Sequence, residues 1–556
     1  MRKSFSGKHI VLVSVILTFF LSSCGGAKKF SKKDVKRSQA LVGLSFTNKQ
    51  IDTLYPYLQR NRKGFDSLRK YDLDYTVFPA LKFDPLPLNF TPKPQADFPS
   101  WEIPNDVELP TKKSELAFYT IPQLASLIKN KKITSVELTQ FFIDRIKKYD
   151  DVLQSTITIT EELAMNQAQK MDEELTTGKY RGILHGIPYG VKDLMSVEGY
   201  KTTWGAEPYK NQQFDMTATV VERLQKAGGV LIAKLVSGSL ARGDVWFGGK
   251  TKNPWDTKQG ASGSSAGSGS ATSAGLVPFA LGTETLGSIT SPSNRNGITG
   301  LRPTYGRVSR YGVMSLSWSM DKIGPMARNA QDCAIVYSII SGKDPKDPTT
   351  TDYPFGFDKN KDVRTLKIGY LKEDIDKDTS KSKDNLTKAL GIFKKMGIKM
   401  DSLKLPEDLP FSSFDIILRA EAGAFFDDLV LSSDVDKMVE QDQRSRANSL
   451  RQARFIPAVE YLQANRHREV LIEKMYQLIK DYDVIISPSF GNRQLVITNL
   501  TGHPVIAIPT GLDKDKHPTS ITLVGNLYDE ASILLLAKAF QENTEFDEMH
   551  PEGYMD

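Results

Sequence analysis

The chain has 556 residues, of which 40% are hydrophobic and 25% charged, a composition typical of a folded globular protein and unlike that of disordered chains. Its formal net charge of +7 would indicate nucleic-acid binding only if it were concentrated on one folded surface, but much of it lies near the N-terminus. We therefore expect two to four domains, or one unusually large domain, and no nucleic-acid partner.

The N-terminus predicts an export signal. Three basic residues precede an apolar run over 10–21, which is shorter than the about 20 apolar residues that cross a bilayer. The sequence Leu-Ser-Ser-Cys that ends at Cys24 resembles the lipobox of bacterial lipoproteins, whose cysteine is lipidated. We therefore expect a lipoprotein signal peptide over 1–23 and an exported protein held at the membrane by a lipid on Cys24, on the periplasmic or surface face of the cell envelope. The alternative is an ordinary signal peptide in which this cysteine is incidental.

Two further segments precede the main domain. Residues 24–40 are rich in lysine and poor in apolar residues, which predicts a solvated basic tether. Apolar residues at helical spacing after Asn48 predict a small helical region. Prolines are dense over 83–110, and because proline continues neither a helix nor a central strand, we expect an extended connector there. Together, 41–113 is predicted as a helical region and connector.

From residue 114 to about 545 the pattern predicts an α/β domain. A capping box at Thr134 to Glu137 opens an amphipathic helix from Ser135 to about Tyr149. Helices alternate with short apolar strands from there on, which is typical of layered α/β domains. We expect a charged helical excursion at about 375–480. The predicted strands are 186–191, 229–236, 367–371, 484–487, 504–509 and 520–525, and 530–541 is predicted as a closing helix.

The most unusual segment is the Gly/Ser-rich run over 260–275. Such composition is most often that of a flexible linker, but this run leads directly into the apolar sequence LVPFAL. Small residues also allow backbone N–H groups to approach a substrate closely, and serines supply nucleophiles. The run contains a GxSxG match at 263–267, but its lead-in NPWDTKQG is a poor strand, which disfavours an α/β-hydrolase nucleophile.

Metal and nucleotide chemistry lack sequence support. The residues from Gly243 to Thr251 miss the phosphate-binding loop by one position, and no HExxH motif occurs. If Cys24 is lipidated, Cys333 is the one remaining thiol, so neither an intrachain disulfide nor a thiolate cluster is expected. We expect no metal and no cofactor.

The motifs in chain order resemble those of the amidase signature family of serine hydrolases. HGIPYGVKDL, NPWD, the Gly/Ser run, GTETLGSI, the long block over 297–328 and the C-terminal NLTGHPVIAIPTG all match its pattern, over roughly 115–540. The resemblance implies a mixed, twisted β-sheet covered by helices on both sides. It also implies hydrolysis of linear carbon–nitrogen bonds other than peptide bonds, with esters as possible substrates.

The family uses a Ser–Ser–Lys triad, and the resemblance assigns it to Lys192, Ser264 and the nucleophile Ser288. Ser264 would follow a cis peptide after Gly263 and pass a proton from Ser288 to the lysine, while Ser265 would support the loop by hydrogen bonding. A serine needs a base to become nucleophilic, and lysine is a base only when neutral. Its pKa of about 10.4 must therefore fall by roughly 2–3 units, which burial can achieve.

The backbone N–H groups of Thr285, Leu286, Gly287 and Ser288 are the expected donors to the tetrahedral oxyanion. Two positions depart from the family pattern. Leu286 stands where many members have Gly or Asp, and Thr290 stands where the glutamine-using amidotransferase branch has Arg. The first change leaves the N–H in place, and the second removes a partner for a substrate carboxylate.

These observations predict an exported, lipid-anchored amidase that acts on a small-molecule or peptide amide. Two alternatives remain open. One is the A-type subunit of a glutamine-dependent amidotransferase, which would need partner subunits. The other is an inactive amidase-like binding lipoprotein.

Overall fold

The computed structural model describes residues 30–68, 70, 73–88, 90–93, 95, 99–489 and 493–555. The chain divides into two compact units, one ending at Leu73 and one beginning at Asp74. The predicted signal peptide and Cys24 lie outside the described residues. None of the described helices is long and apolar enough to span a bilayer.

The described part of the first unit contains two α-helices, α1 (Lys32–Ser38) and α2 (Asn48–Leu68). Ser31 caps α1 in a capping box with Asp34. The Tyr55 hydroxyl of α2 donates to the Phe30 carbonyl at 2.7 Å, and the two rings meet edge to face. The helical pattern after Asn48 is therefore confirmed.

In the second unit, the proline-rich segment lies against the domain that follows it. Phe83 packs edge to face on Tyr305 and also contacts the Arg468 guanidinium, 3.4 Å from the ring centre. Tyr75 packs on Phe214. The segment contains no helix or strand among its described residues, as its prolines predict.

The centre of the second unit is a mixed sheet of eleven strands, in the order β1-β3-β2-β8-β10-β9-β14-β15-β13-β11-β12. Strands β3, β2 and β8 are parallel neighbours, whereas β8, β10, β9, β14, β15 and β13 pair antiparallel. The strands are β1 Thr156–Ile159, β2 Pro188–Lys192, β3 Val230–Leu235, β8 Phe279–Glu284, β9 Thr299–Arg302, β10 Lys322–Ala327, β11 Ile368–Tyr370, β12 Met400–Ser402, β13 Val484–Pro488, β14 Val505–Leu512 and β15 Pro518–Gly525; the short strands β4 Val245–Trp246, β5 Gly249–Lys250, β6 Lys252–Asn253 and β7 Asp256–Gly260 form two hairpins.

Helices cover the sheet, so the expected α/β class with a mixed sheet is confirmed. The helices are α3 Ile121–Lys129, α4 Ser135–Leu153, α5 Glu161–Thr176, α6 Thr219–Lys226, α7 Ala266–Ser273, α8 Thr290–Asn296, α9 Ala330–Ile340, α10 Lys372–Asp376, α11 Lys383–Lys395, α12 Asp415–Phe425, α13 Asp427–Leu431, α14 Arg446–Ala453, α15 Ala458–Ile479, α16 Arg493–Thr501 and α17 Glu530–Gln541. Helices α10 to α15 occupy the segment expected to be a helical excursion.

The Gly/Ser run is not a linker, because its residues Ala266–Ser273 form a fully buried helix. Every residue of α7 is buried, and its Gly267 N–H donates to the Val236 carbonyl. A Cβ added at Gly267 would lie 2.1 Å from the Ser155 carbonyl oxygen, so only glycine permits this approach. The small side chains therefore allow α7 to pack directly against the backbone of β3.

Candidate active site

Lys192 lies at the end of β2, in the middle of the parallel part of the sheet, and is fully buried. Its Nζ lies 2.7 Å from Ser264 Oγ, 3.1 Å from Ser265 Oγ and 2.8 Å from Thr283 Oγ1. A neutral amine has two protons to donate and one lone pair, so three hydroxyl partners satisfy it fully. One of the three can therefore direct its own proton at Nζ.

The surroundings of Lys192 favour its neutral form. Burial lowers the pKa of Lys192 well below its ordinary value, against the attraction of Asp321 and Glu284. No described carboxylate oxygen lies within ion-pair distance of Nζ. A lysine whose pKa is lowered in this way can act as a base.

The loop before α7 carries Ser264 to this lysine. The peptide bond between Gly263 and Ser264 is cis, as the resemblance implies. The Ser264 carbonyl accepts the Gly238 N–H at 3.1 Å, and a Cβ added at Gly263 would lie 1.8 Å from the Gly243 oxygen. The loop over 238–243 therefore holds the peptide from one side, and glycine is required at 263.

Ser265 connects this loop to its neighbours on the sheet. Its hydroxyl donates to the Thr283 carbonyl and accepts the Thr283 N–H, both at 3.2 Å. Its backbone N–H donates to the Ser288 carbonyl, also at 3.2 Å. These contacts fit the loop-supporting part that the sequence assigns to Ser265.

Ser288 lies in the turn between β8 and α8, next to the cis peptide. It is partly exposed, and its hydroxyl has no hydrogen-bond partner among the described residues, Ser264 included. The backbone N–H groups of Thr285, Leu286, Gly287 and Ser288 likewise donate to no described acceptor. Gly287 has a φ of +97°, a backbone conformation that favours glycine and that the turn requires at this position. The turn thus presents a free hydroxyl beside free backbone donors.

Glu284 fixes the base of this turn, a residue to which the sequence reasoning gave no role. Its Oε2 accepts the N–H groups of Ile289 and Thr290, both at 2.9 Å, and its Oε1 pairs with the buried Arg302 at 2.7 Å. Burial opposes the charge, but Arg302 and the hydrogen bonds outweigh it and hold the pKa of Glu284 at about 2. An acidic residue four positions before Ser288, within GTETLGSI, was the available signal.

Comparison with known proteins agrees with this geometry. The amidase family model matches residues 137–534. The chain belongs to the amidase signature family. Curated relatives include the glutamyl-tRNA(Gln) amidotransferase subunits A of Carboxydothermus hydrogenoformans, 33% identical over 79% of this chain and 99% of that protein, and of Coxiella burnetii, 34% identical over 78% and 99%.

Solved structures of the family share the fold. The peptide amidase from Stenotrophomonas maltophilia superposes with a TM-score of 0.70 at 25% identity, over 78% of this chain and 98% of its own. A bacterial aryl acylamidase of the family matches in fold with the same TM-score at 20% identity, over 79% of this chain and 98% of its own. Family membership supports amide hydrolysis in general, and these structures show that the described domain has the fold of the family.

Within this amidase, the two departures from the family pattern lie in different environments. The Leu286 side chain is 36% exposed beside the free N–H groups. Thr290 is buried, and its hydroxyl donates to Glu284 at 3.1 Å. Thr290 therefore stabilises the turn through Glu284, and its buried side chain does not take the place of the arginine that the amidotransferase branch has at this position.

One group of described residues has the types that ligate metals, Asp513, Asp515 and His517 in the turn between β14 and β15. Asp515 pairs with Lys381, and His517 Nε2 lies 2.9 Å from Gln259. These groups are engaged with protein partners at the surface. The group gives no reason to assign a metal to this amidase.

Proposed function

We propose that this protein cleaves a carboxylic amide through an acyl-enzyme on Ser288. Neutral Lys192 removes a proton from Ser264, which takes the proton of Ser288 as that hydroxyl attacks the carbonyl carbon. The oxyanion is stabilised by the N–H groups over 285–288. The lysine ammonium then returns a proton through Ser264 to the leaving amine, and water releases the acid. The observation that carries this proposal is a fully buried lysine with three hydroxyl partners and no carboxylate partner among the described residues.

The relay requires a hydrogen bond between the Ser288 and Ser264 hydroxyls, which the structure does not contain. Catalytic hydrogen bonds often form only in the reacting complex. The Ser288 carbonyl accepts the Ser265 N–H, so the segments that carry the two serines are adjacent, and the Ser288 side chain must turn towards Ser264 for the relay to form.

A fluorophosphonate probe tests the proposal without knowledge of the substrate. We expect the wild-type chain to be labelled at Ser288, as located by peptide mass spectrometry, and Ser288→Ala to remain unlabelled. Ser262→Ala is a matched control, because this neighbouring hydroxyl contacts Ser291 and not Lys192. Persistent labelling of Ser288→Ala would remove Ser288 as nucleophile, and an unlabelled wild-type chain without amide turnover would indicate an inactive binding protein.

A second candidate is the A-type subunit of a glutamine-dependent amidotransferase. The curated relatives favour it, because they carry that name and match over 99% of their length. Such a subunit would release ammonia from glutamine and pass it to a partner-bound acceptor. Stoichiometric partners on purification, with glutamine-dependent amide transfer, would establish this candidate; turnover of simple amides by the isolated chain, with no glutaminase activity, would exclude it.

We also propose that the chain is exported and lipid-anchored at Cys24. The support is the sequence before the described residues: a basic start, a short apolar run and Leu-Ser-Ser-Cys. Metabolic labelling with an alkynyl fatty acid should mark the wild-type chain in the membrane fraction and leave Cys24→Ala unmarked. This experiment also separates the two functions, since aminoacyl-tRNA is cytoplasmic.

A further inference from the structure

Lys322 is a buried amine that the chemistry above does not use. It opens β10, directly opposite Glu284 of β8, and is 2% exposed. Its Nζ donates to Asn499 Oδ1 at 2.8 Å, and no described carboxylate lies within ion-pair distance. Burying an amine that has a single described side-chain partner and no described counter-ion costs folding free energy, so we looked for a role that its position could serve.

The Asn499 amide connects Lys322 to the nucleophile turn. Its Nδ2 donates to Glu284 Oε1 at 2.9 Å and to the Leu495 carbonyl at 3.0 Å. The opposite amide orientation would place Oδ1 against these two acceptors and Nδ2 against the Lys322 amine, so Glu284, Leu495 and Lys322 together favour the observed orientation. Lys322 contributes the donor that Oδ1 accepts, and it thereby fixes the amide from its Oδ1 side.

Helix α16, which carries Asn499, also contacts the Ser288 turn through a second residue. Helix α16 carries both Asn499 and Leu495, and a Cβ added at Gly287 would lie 3.3 Å from Leu495 Cδ2. The Leu495 side chain therefore packs on the turn that presents the free N–H groups. Asn499 therefore contacts Glu284, which binds the turn, while Leu495 packs on the turn directly at Gly287.

The charge around Lys322 favours its neutral form. Burial and the nearby Arg302 and Arg468 lower the pKa of Lys322, against Glu284 and Asp321. A neutral amine still donates a hydrogen bond but adds no charge beside Arg302. Its contribution to the site is therefore directional.

We propose that Lys322 and Asn499 are positioning residues, which hold the Ser288 turn in its reactive conformation through Glu284. This inference rests on the proposed Ser288 chemistry. The chain of contacts runs from Lys322 Nζ through the Asn499 amide and the Glu284 carboxylate to the N–H groups of Ile289 and Thr290. Neither residue touches the reacting atoms; both set where those atoms lie.

The test compares fluorophosphonate labelling rates at Ser288 in the full-length chain. Lys322→Met removes the donor and should slow labelling about 10- to 100-fold, since small displacements of reacting groups have effects of this size. Lys322→Gln restores an N–H donor and should stay within about threefold of wild type. Equal rates for Lys322→Met and wild type, or equally slow Lys322→Met and Lys322→Gln, would overturn the inference.

Asn499→Leu should slow labelling like Lys322→Met, whereas the control Asn385→Leu should not. Asn385 is also a buried amide, but it donates to the Leu512 carbonyl and to Thr519. Melting temperatures separate slowed labelling from lost folding. If Lys322→Met does not fold, the labelling rate of Lys322→Gln is the deciding measurement. A rate near that of wild type supports the inference, and a loss above tenfold overturns it. An unlabelled wild-type chain would instead refute the proposed function.

Discussion

Lys192 and Lys234 lie on adjacent strands, and both are fully buried. Lys234 forms an ion pair with Asp193 at 2.6 Å and donates to the Lys201 carbonyl. In the described part of the chain, the Lys192 amine has three hydrogen-bond partners, all of them hydroxyls. Burial lowers the pKa of both lysines. At Lys234 the adjacent Asp193 opposes this change, whereas the pKa of Lys192 lies well below its ordinary value. The same residue type at the same depth is thus an ion-pair partner in one place and a candidate base in the other, because among the described residues only Lys234 has a carboxylate within ion-pair distance.

The largest effect should come from Lys192→Met. Loss of a general base typically costs about 10²–10⁴-fold in rate, and we expect the upper part of that range because no other described base reaches Ser264. Fluorophosphonate labelling of Ser288 and turnover of any identified amide measure it. A loss below tenfold would contradict the assignment of Lys192 as base.

Lys234→Met should instead affect stability. Removing one member of a buried ion pair leaves Asp193 unpaired, which costs about 3–5 kcal/mol in the free energy of unfolding. Urea denaturation measures the change. If Lys234→Met were as stable as wild type, the contrast between the two lysines would not rest on Asp193.

A smaller and graded effect is expected from pH. Burial lowers the pKa of Lys192, so the amine becomes neutral at a lower pH than an ordinary lysine does, and the proposed activity requires that neutral form. Labelling should therefore be constant above the pKa of Lys192 and fall about tenfold per pH unit below it. A rate that still climbs towards pH 10 would indicate a lysine with an ordinary pKa.

The smallest effect should follow Leu286→Gly. The substitution removes a side chain that is 36% exposed but keeps the backbone N–H at that position. We expect the labelling rate to change by less than about threefold, since the donors to the oxyanion are retained. A loss comparable to that of Lys192→Met would show that the side chain at 286 shapes the turn.

Sequence patterns predicted the local elements well where side-chain periodicity is strong. The capping box at Thr134 and the helix after it are confirmed, although the helix continues to Leu153. The closing helix over 530–541 and the strands near 188 and 230 are also confirmed. The Gly/Ser run was ambiguous, because nothing in its composition distinguishes a solvated linker from a helix packed against backbone.

The network beneath Ser288 was not predicted from the sequence. Glu284, Arg302 and Asn499 lie far apart in the chain, and each alone is an ordinary polar residue in a strand or helix. They meet because β8 and β9 flank β10 and α16 packs beside them. Long-range pairing of this kind leaves no periodic signal.

The sequence by itself determined the family, the alternation of helices and strands, and the three residues that the motifs assign to the triad, because these depend on local patterns and motif order. Only the tertiary structure decided that Lys322 donates to Asn499 and, as far as the described residues show, which lysine lies without a carboxylate partner and that the Ser288 hydroxyl has no hydrogen-bond partner. Burial and hydrogen-bond partners arise when distant strands come together, and they decide whether a lysine is a base, an ion-pair partner or a donor that orients an amide.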